Sequence, residues 1–267
     1  MKVLNYGSLN VDYVYSVDHI IVGGETQHSS KLEVFSGGKG LNQSIALAKA
    51  GVPVYHAGIV GTDGDILLEA CKEAGVNTKY IRRLPVKGGH TMIQVDKNAQ
   101  NCIILYGGTN QMQTKEFVDE VLADFGEGDY LMLQNEINML DYIIDQAYEK
   151  KMKIVMNPSP FDDKLSTCDL SKVYLFLVNE IEGEQITGCK DKDQILDAMA
   201  ARFPNARFVL TLGSDGAVYY DGKEKVFQDI FKVKAVDTTA AGDTFTGYFI
   251  AAVIEGRSIQ EALRMAA

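Results

Sequence analysis

No stretch of this chain concentrates Lys or Arg, and its formal net charge is −10. A nucleic-acid partner, which must be held by phosphate neutralisation along a basic stripe, is therefore not expected. The longest apolar run, YFIAAVI at residues 248–254, is far shorter than the ~20 residues a membrane span needs. The N-terminal MKVLNYGSLN has neither an apolar h-region nor a cleavage site, so no secretory leader is read there. The four cysteines, Cys71, Cys102, Cys168 and Cys189, lie far apart and fit no metal-ligand spacing. They read as small buried hydrophobes in a reducing, cytoplasmic setting. Linkers, repeats and low-complexity segments are lacking too.

What is present is an ordinary soluble composition, with 46% apolar and 23% charged residues over 267 positions. Short apolar runs (VLNYG, VYHAGIV, YLMLQ, KIVMN, VYLFLV, RFVLTL) alternate with amphipathic stretches such as LNQSIALAKAG and MLDYIIDQAYEKK. That alternation predicts an α/β fold with a mostly parallel sheet covered on both faces. Period-two stretches without helices break the rhythm at about residues 11–35 and 88–106, as in a small antiparallel β lid. AVYYDGKEKVF reads as a hairpin around Asp221 and Gly222. One domain over residues 1–267, with that lid, is the expected organisation.

Polar residues gather where strands end: Asn10, Glu136, Asn157, Asn179 and Thr211. In open α/β sheets ligands bind beyond the carboxyl ends of the strands. Each residue alone could be a turn former or a helix cap; together they predict a site.

The glycine cluster SGGKGLNQ, residues 36–43, fails as a phosphate loop of the Walker type, because no Ser or Thr follows Lys39. It fails as a dinucleotide fingerprint as well. What remains is a turn opening a helix, with exposed N–H groups and with Lys39 and Asn42 as donors for a polyhydroxylated ligand. Asn10 and Asp12, two apart in GSLNVDY, could face one side of an extended chain and hold vicinal hydroxyls. In NEIEGEQITG, Asn179 and Glu182 share a first helical turn, where a carboxylate could hold hydrated Mg²⁺ or where Asn179 could simply cap.

The stretch TTAAGDTF, residues 238–245, carries the sharpest signal. Ala240, Ala241 and Gly242 leave backbone N–H groups uncovered at a helix start, where the macrodipole adds positive potential. Such a hole suits charge developing on a transferring phosphoryl group. Asp243 follows in the first turn, placed to take a proton from an attacking hydroxyl.

With these motifs assembled, the chain resembles the ribokinase branch of the PfkB carbohydrate kinase family over essentially its whole length. The matching stretches are GSLNVD, GGETQ, SGGKGLNQ, QNE, NPSP, NEIEGEQITG, TLGSDG and VDTTAAGDTFTG, the last being the family signature. The resemblance implies a ribokinase-like three-layer sandwich with a β lid. It implies a sugar pocket of Asn10, Asp12, Gly38, Lys39, Asn42 and Glu136, and Asp243 as base beside the anion hole of Ala240, Ala241 and Gly242. Asn179, Thr211, Gly213 and Gly216 would serve the nucleotide, ATP. Glu182 would hold Mg²⁺ through water, and Asp237 and Thr239 would lie near a monovalent cation such as K⁺. Dimerisation through the lid is a further implication. The sequence ends at ALRMAA, before a segment that in relatives completes the adenine pocket and the cation loop; weaker nucleotide binding and loss of K⁺ activation are the expectations that follow.

The expected reaction is transfer of the γ-phosphoryl group of ATP to a primary hydroxyl of a small sugar, first of all D-ribose. Rivals are a kinase of the same fold for a ketohexose, a deoxy sugar acid or a nucleoside, and a sugar-binding regulatory protein without turnover. A nucleoside would need stacking partners, for which Tyr13, Phe35 and Tyr106 are the candidates.

Overall fold

A computed structural model describes residues 1–233 and 238–267 of the chain. Its centre is a nine-stranded sheet. β1 (Val3–Tyr6) is flanked on one side by β4 (Val54–Val60) and β5 (Asn77–Arg83). On the other side follow β8 (Tyr130–Gln134), β9 (Lys153–Asn157), β10 (Leu175–Asn179) and β11 (Arg207–Thr211), then β12 (Ala217–Tyr220) and β13 (Lys225–Gln228). All pairs are parallel except those made by β12 and β13. The latter two form the hairpin expected around Asp221 and Gly222, with Asp221 Oδ1 accepting from the Lys223 and Glu224 N–H groups.

Alternation along the strands makes two cores. Leu4, Tyr6, Leu131, Leu133, Phe176 and Phe208 point to one face, beneath α3 (Lys115–Leu122), α4 (Leu140–Glu149), α5 (Glu180–Thr187) and α6 (Lys192–Arg202). Val3, Tyr130, Met132, Leu175, Leu177 and Val209 point to the other. There they meet α1 (Lys39–Lys49), α2 (Asp65–Ala74), α7 (Ala241–Ile254) and α8 (Ile259–Ala266). Burying each strand on both faces is what permits the near-continuous apolar runs of the sequence. The three-layer sandwich is therefore as expected.

The lid is a separate four-stranded sheet in the order β3 (Lys31–Gly37), β2 (Asn10–Ser16), β6 (Gly89–Val95), β7 (Asn101–Tyr106). Its outer pairs are antiparallel, whereas the central pair β2–β6 is parallel. The lid grows directly out of the strand-end region, since β2 begins at Asn10. The cysteines depart from expectation: Cys71 alone is buried, Cys102 is exposed on β7, and Cys168 and Cys189 are half-buried.

Candidate active site

The order of strand addition reverses at β1, although its neighbours on both sides run parallel to it. From there the sheet grows outward through β4 and β5, then resumes on the opposite side with β8. Such a switch point opens a crevice beyond the strand ends, and Lys39, Asn179, Glu182, Thr211 and Asp243 line it. Gly38 precedes α1 at φ 95° and offers no side-chain cap. This left-handed backbone suits glycine and turns the first amides of α1 onto the neighbouring loops. The Lys39 N–H donates to Glu136 Oε2 at 3.0 Å, the Gly40 N–H to Ser8 Oγ at 3.2 Å, and the Leu41 N–H to the Ser8 carbonyl at 3.0 Å. Ser8 Oγ also donates to Glu136. The start of α1 is thereby tied to the loops after β1 and β8, and the orphan amides of a helix terminus are satisfied.

Burial raises the Glu136 carboxyl above the ordinary range, against the pull of Ser8 and of Lys39, while the negative charge of Asp243 adds to the rise. Burial also raises Asp12, opposed by a hydrogen bond from Thr91 Oγ1 to Asp12 Oδ1 at 2.6 Å. Carboxyls raised by folding bind protons more tightly in the native state. They favour the fold at acid pH, and that contribution is lost as pH rises through their folded values. Asn10 is buried, with its Oδ1 accepting from Asn110 Nδ2 at 2.7 Å.

Asp243 is only 7% exposed, although it lies in the first turn of α7. Asn42 Nδ2 donates to its Oδ2 at 3.1 Å and Gln43 Nε2 to its Oδ1 at 2.9 Å. Ala240 stands just before the helix in the left-handed conformation, at φ 57°. The expected anion hole differs at one amide: the Ala241 N–H is directed to the Thr238 carbonyl at 3.1 Å, because the turn at Ala240 folds it back. The regular helical bonds begin with the Thr244 N–H to the Ala240 carbonyl. Gly242 and Asp243 thus supply the first-turn amides ahead of that ladder.

A cavity of about 260 Å³ opens in front of them. It is lined by Ala240, Ala241, Gly242 and Asp243 on one side, by Asn157, Asn179, Glu182 and Thr211 on the other, and by Lys39. Asn179 and Glu182 form a reciprocal capping box on α5: the Glu182 N–H donates to Asn179 Oδ1 at 2.9 Å, and the Asn179 N–H to Glu182 Oε2 at 3.1 Å. The capping alternative is therefore real, and the same pair also faces the cavity. Gly213 and Gly216 build the turn after β11 and stand outside the cavity lining. Thr239 belongs to the turn before α7, and Asp237 lies outside the described residues. Among the described residues no group of three His, Cys, Asp or Glu could hold a metal ion by itself.

A second cavity, about 220 Å³, lies on the lid side and is lined by Asn10, Leu105, Asn110, Asn135 and Glu136 among others. Lys39 in the first cavity and Glu136 in the second are linked by their hydrogen bond. Of the aromatic residues considered for stacking, Phe35 pairs with Asp12 and so shares its face of the lid. Tyr13 and Tyr106 lie on the opposite face, packed on either side of the His90 ring at 6.0 and 5.0 Å. They are turned away from Asn10 and Asp12, which removes most of the stacking a nucleoside base would need. Ser8, Gln43 and Asn110 are site residues not singled out from sequence. A polar residue immediately after Asn42 was the available signal for Gln43.

Comparison with known proteins shows the family. The model of the pfkB family of carbohydrate kinases matches residues 1–267. The chain is 33% identical to the ribokinase of Haemophilus influenzae, over 97% of this chain and 87% of that one. Among solved structures, the ribokinase of Cryptococcus neoformans in complex with ADP superposes with a TM-score of 0.84 at 30% identity, over 99% and 91% of the two chains. The ribokinase of Arabidopsis thaliana complexed with ribose and ATP gives 0.86 at 28% identity, over 99% and 89%. The chain belongs to the pfkB family of carbohydrate kinases.

Proposed function

We propose that this protein transfers the γ-phosphoryl group of ATP to the primary hydroxyl of a small sugar, with O5 of D-ribose the first candidate. The observation that carries this reading is the placement of Asp243. Its carboxylate is held by Asn42 and Gln43 at the lip of the 260 Å³ cavity, beside the first-turn amides of α7. Phosphoryl transfer passes through a loose transition state, so positioning and charge stabilisation do most of the work. Asn10, Asp12, Asn42 and Glu136 orient the sugar. Asp243 accepts the proton of its hydroxyl, and the amides at Gly242 and Asp243 face the migrating group. Thr211, Asn179, Gly213 and Gly216 belong to the nucleotide side.

Glu182 offers one buried carboxylate at the cavity, with Asn157 and Asn179 as neighbouring oxygen donors. That donor set fits Mg²⁺ held mainly by water and substrate phosphates. The ion would neutralise charge on the transferred phosphates. No helix among the described residues is long and apolar enough to cross a membrane, and the four cysteines are free thiols, in keeping with the reducing cytoplasm.

The test is a coupled ADP-release assay over ribose, deoxyribose, fructose and nucleosides, with and without K⁺. Ribose is expected to give the highest kcat/KM. Tight sugar binding with no ADP release would replace the kinase by a sugar-binding regulator.

A lid-mediated homodimer belongs to the same reading. Both faces of the small sheet expose large apolar side chains: Phe35, Ile103 and Leu105 on one, Val34, Met92 and Ile104 on the other. Patches of this kind mark association surfaces. Sedimentation is expected to show a dimer that the double variant Ile103→Glu, Ile104→Glu converts to monomer. A monomeric parent protein would dismiss the idea.

A further inference from the structure

Beneath α1 runs a file of polar side chains of which only Gln43, as a donor to Asp243, has a role above. Asn5, Gln43, Ser44, His56 and Gln134 are all at 0% exposure, in a layer where aliphatic residues would avoid the penalty of burying polar groups. They form one continuous set of hydrogen bonds. Gln43 Nε2 donates to Asp243 Oδ1 at 2.9 Å and to Asn157 Oδ1 at 3.2 Å. Gln134 Nε2 donates to Gln43 Oε1 at 2.7 Å and to Asn5 Oδ1 at 3.0 Å. Asn5 Nδ2 in turn donates to the Gly40 carbonyl at 2.7 Å and to Ser44 Oγ at 2.9 Å. Ser44 Oγ lies 2.8 Å from His56 Nδ1.

The direction of every bond follows from one end. A carboxylate only accepts, so Gln43 must show its nitrogen to Asp243 and its oxygen to Gln134. Gln134 must then donate, which leaves its second N–H for the oxygen of Asn5 and turns the Asn5 nitrogen to Ser44. The Ser44 hydroxyl, which accepts from Asn5, then donates to Nδ1 of His56. Burial keeps that imidazole neutral, with its pKa pushed down to about 4, and so able to accept. Carboxamides neither gain nor lose a proton at neutral pH, so the file is not a proton path. Its effect is to forbid a flip of Gln43, which would set Oε1 against the carboxylate and Nε2 against the Gln134 N–H. Gln134 Oε1 and His56 Nε2 remain without a hydrogen-bond partner among the described residues, but both polar atoms of Gln43 are engaged, and a flip would break each of its bonds.

We infer that Gln43, braced by Gln134, is a positioning residue for phosphoryl transfer, fixing the Asp243 carboxylate so that its remaining lone pairs meet the acceptor hydroxyl. The inference rests on the reading of Asp243 as the base.

The experiment measures kcat, sugar KM and thermal melting for Gln43→Met, Gln134→Met, Asp243→Asn and the double variant Gln43→Met, Asp243→Asn. Gln43→Met is expected to lower kcat per folded molecule roughly tenfold, the scale of one buried hydrogen bond, with sugar KM unchanged. In the Asp243→Asn background the direction of Gln43 no longer matters, because residue 243 then both donates and accepts. There Gln43→Met should cost no further rate. A purely structural Gln43 would instead lower melting temperature alone, or give effects that multiply in the double variant; either result overturns the inference. Should Gln43→Met not fold, Gln134→Met, which leaves Asp243 and its donor in place, must show the same split between kcat and KM. A full rate in Asp243→Asn alone removes the base and the brace together. A slow Asp243→Asn with a fast Gln43→Met removes only the brace.

Discussion

Asp243→Asn is expected to lower kcat by roughly 10²–10⁴-fold, the usual contribution of a positioned general base, while sugar affinity survives. The substitution is isosteric at a side chain only 7% exposed, so it opens no cavity. Its oxygen can still accept from the Gln43 nitrogen, and its new N–H groups then face Asn42. Asn42 is a single carboxamide bonded to Oδ2 at 3.1 Å, and it can turn its oxygen inward to receive them. The fold persists, as do the sugar contacts proposed for Asn10, Asp12 and Glu136, and what is lost is the capacity to take a proton from the acceptor hydroxyl. Turnover from ADP release, paired with sugar binding by titration calorimetry, separates the two. An unimpaired rate would take Asp243 out of the mechanism and leave the cavity beside α7 without its proposed chemistry.

How far the sequence reached follows from the range of each interaction. Strands buried on both faces appear as unbroken apolar runs, so β1, β4, β8, β9, β10 and β11 were all legible, and the polar residues closing them marked the rim. β5, NTKYIRR, was not, because an edge strand with exposed Lys79, Arg82 and Arg83 carries no apolar run. The lid hairpins showed in period-two patterns, but the parallel pairing of β2 with β6 joins segments about eighty positions apart and leaves no local mark. The same holds within the site. Asp243 announced itself through its small neighbours, whereas its partners Asn42 and Gln43 stand 201 and 200 positions away in the chain. Gln134 closing the buried strand YLMLQ was a visible anomaly, a polar residue where the pattern asks for an apolar one. Its partner could not be named without the fold. The Ala241 amide illustrates the opposite error: small side chains uncover an N–H, but only the backbone path at Ala240 decides where it points.

Gly247→Val is expected to damage the site from a distance. Gly247 lies where α7 crosses α1, and a Cβ there would come within 2.4 Å of Ala46 Cβ and 2.9 Å of the Leu47 nitrogen. Real side chains do not approach so closely, so the helices must separate. Asp243 and Gly247 are four apart on α7, and Asn42 and Ala46, like Gln43 and Leu47, are four apart on α1. Residues at that spacing share a helix face. The contact that allows the close crossing is therefore one turn from the hydrogen bonds that hold the carboxylate. At 2.9 and 3.1 Å those bonds sit in the normal range, and side-chain bonds stretched past about 3.5 Å are effectively lost. Overpacking should destabilise the fold by about 1–3 kcal/mol. Valine has a higher helix propensity than glycine, so any loss must come from the crossing and not from α7 itself. Misplacing the base by about 1 Å should lower kcat by up to roughly 10²-fold. Denaturant unfolding and turnover measured together check both. The paired change Ala46→Gly with Gly247→Ala removes the 2.4 Å conflict with the Ala46 methyl but leaves the one with the Leu47 nitrogen, and should recover part of the rate lost in Gly247→Val. Recovery ties activity to the distance between α1 and α7; if Gly247→Val turns over at the parent rate, that distance does not set the position of Asp243.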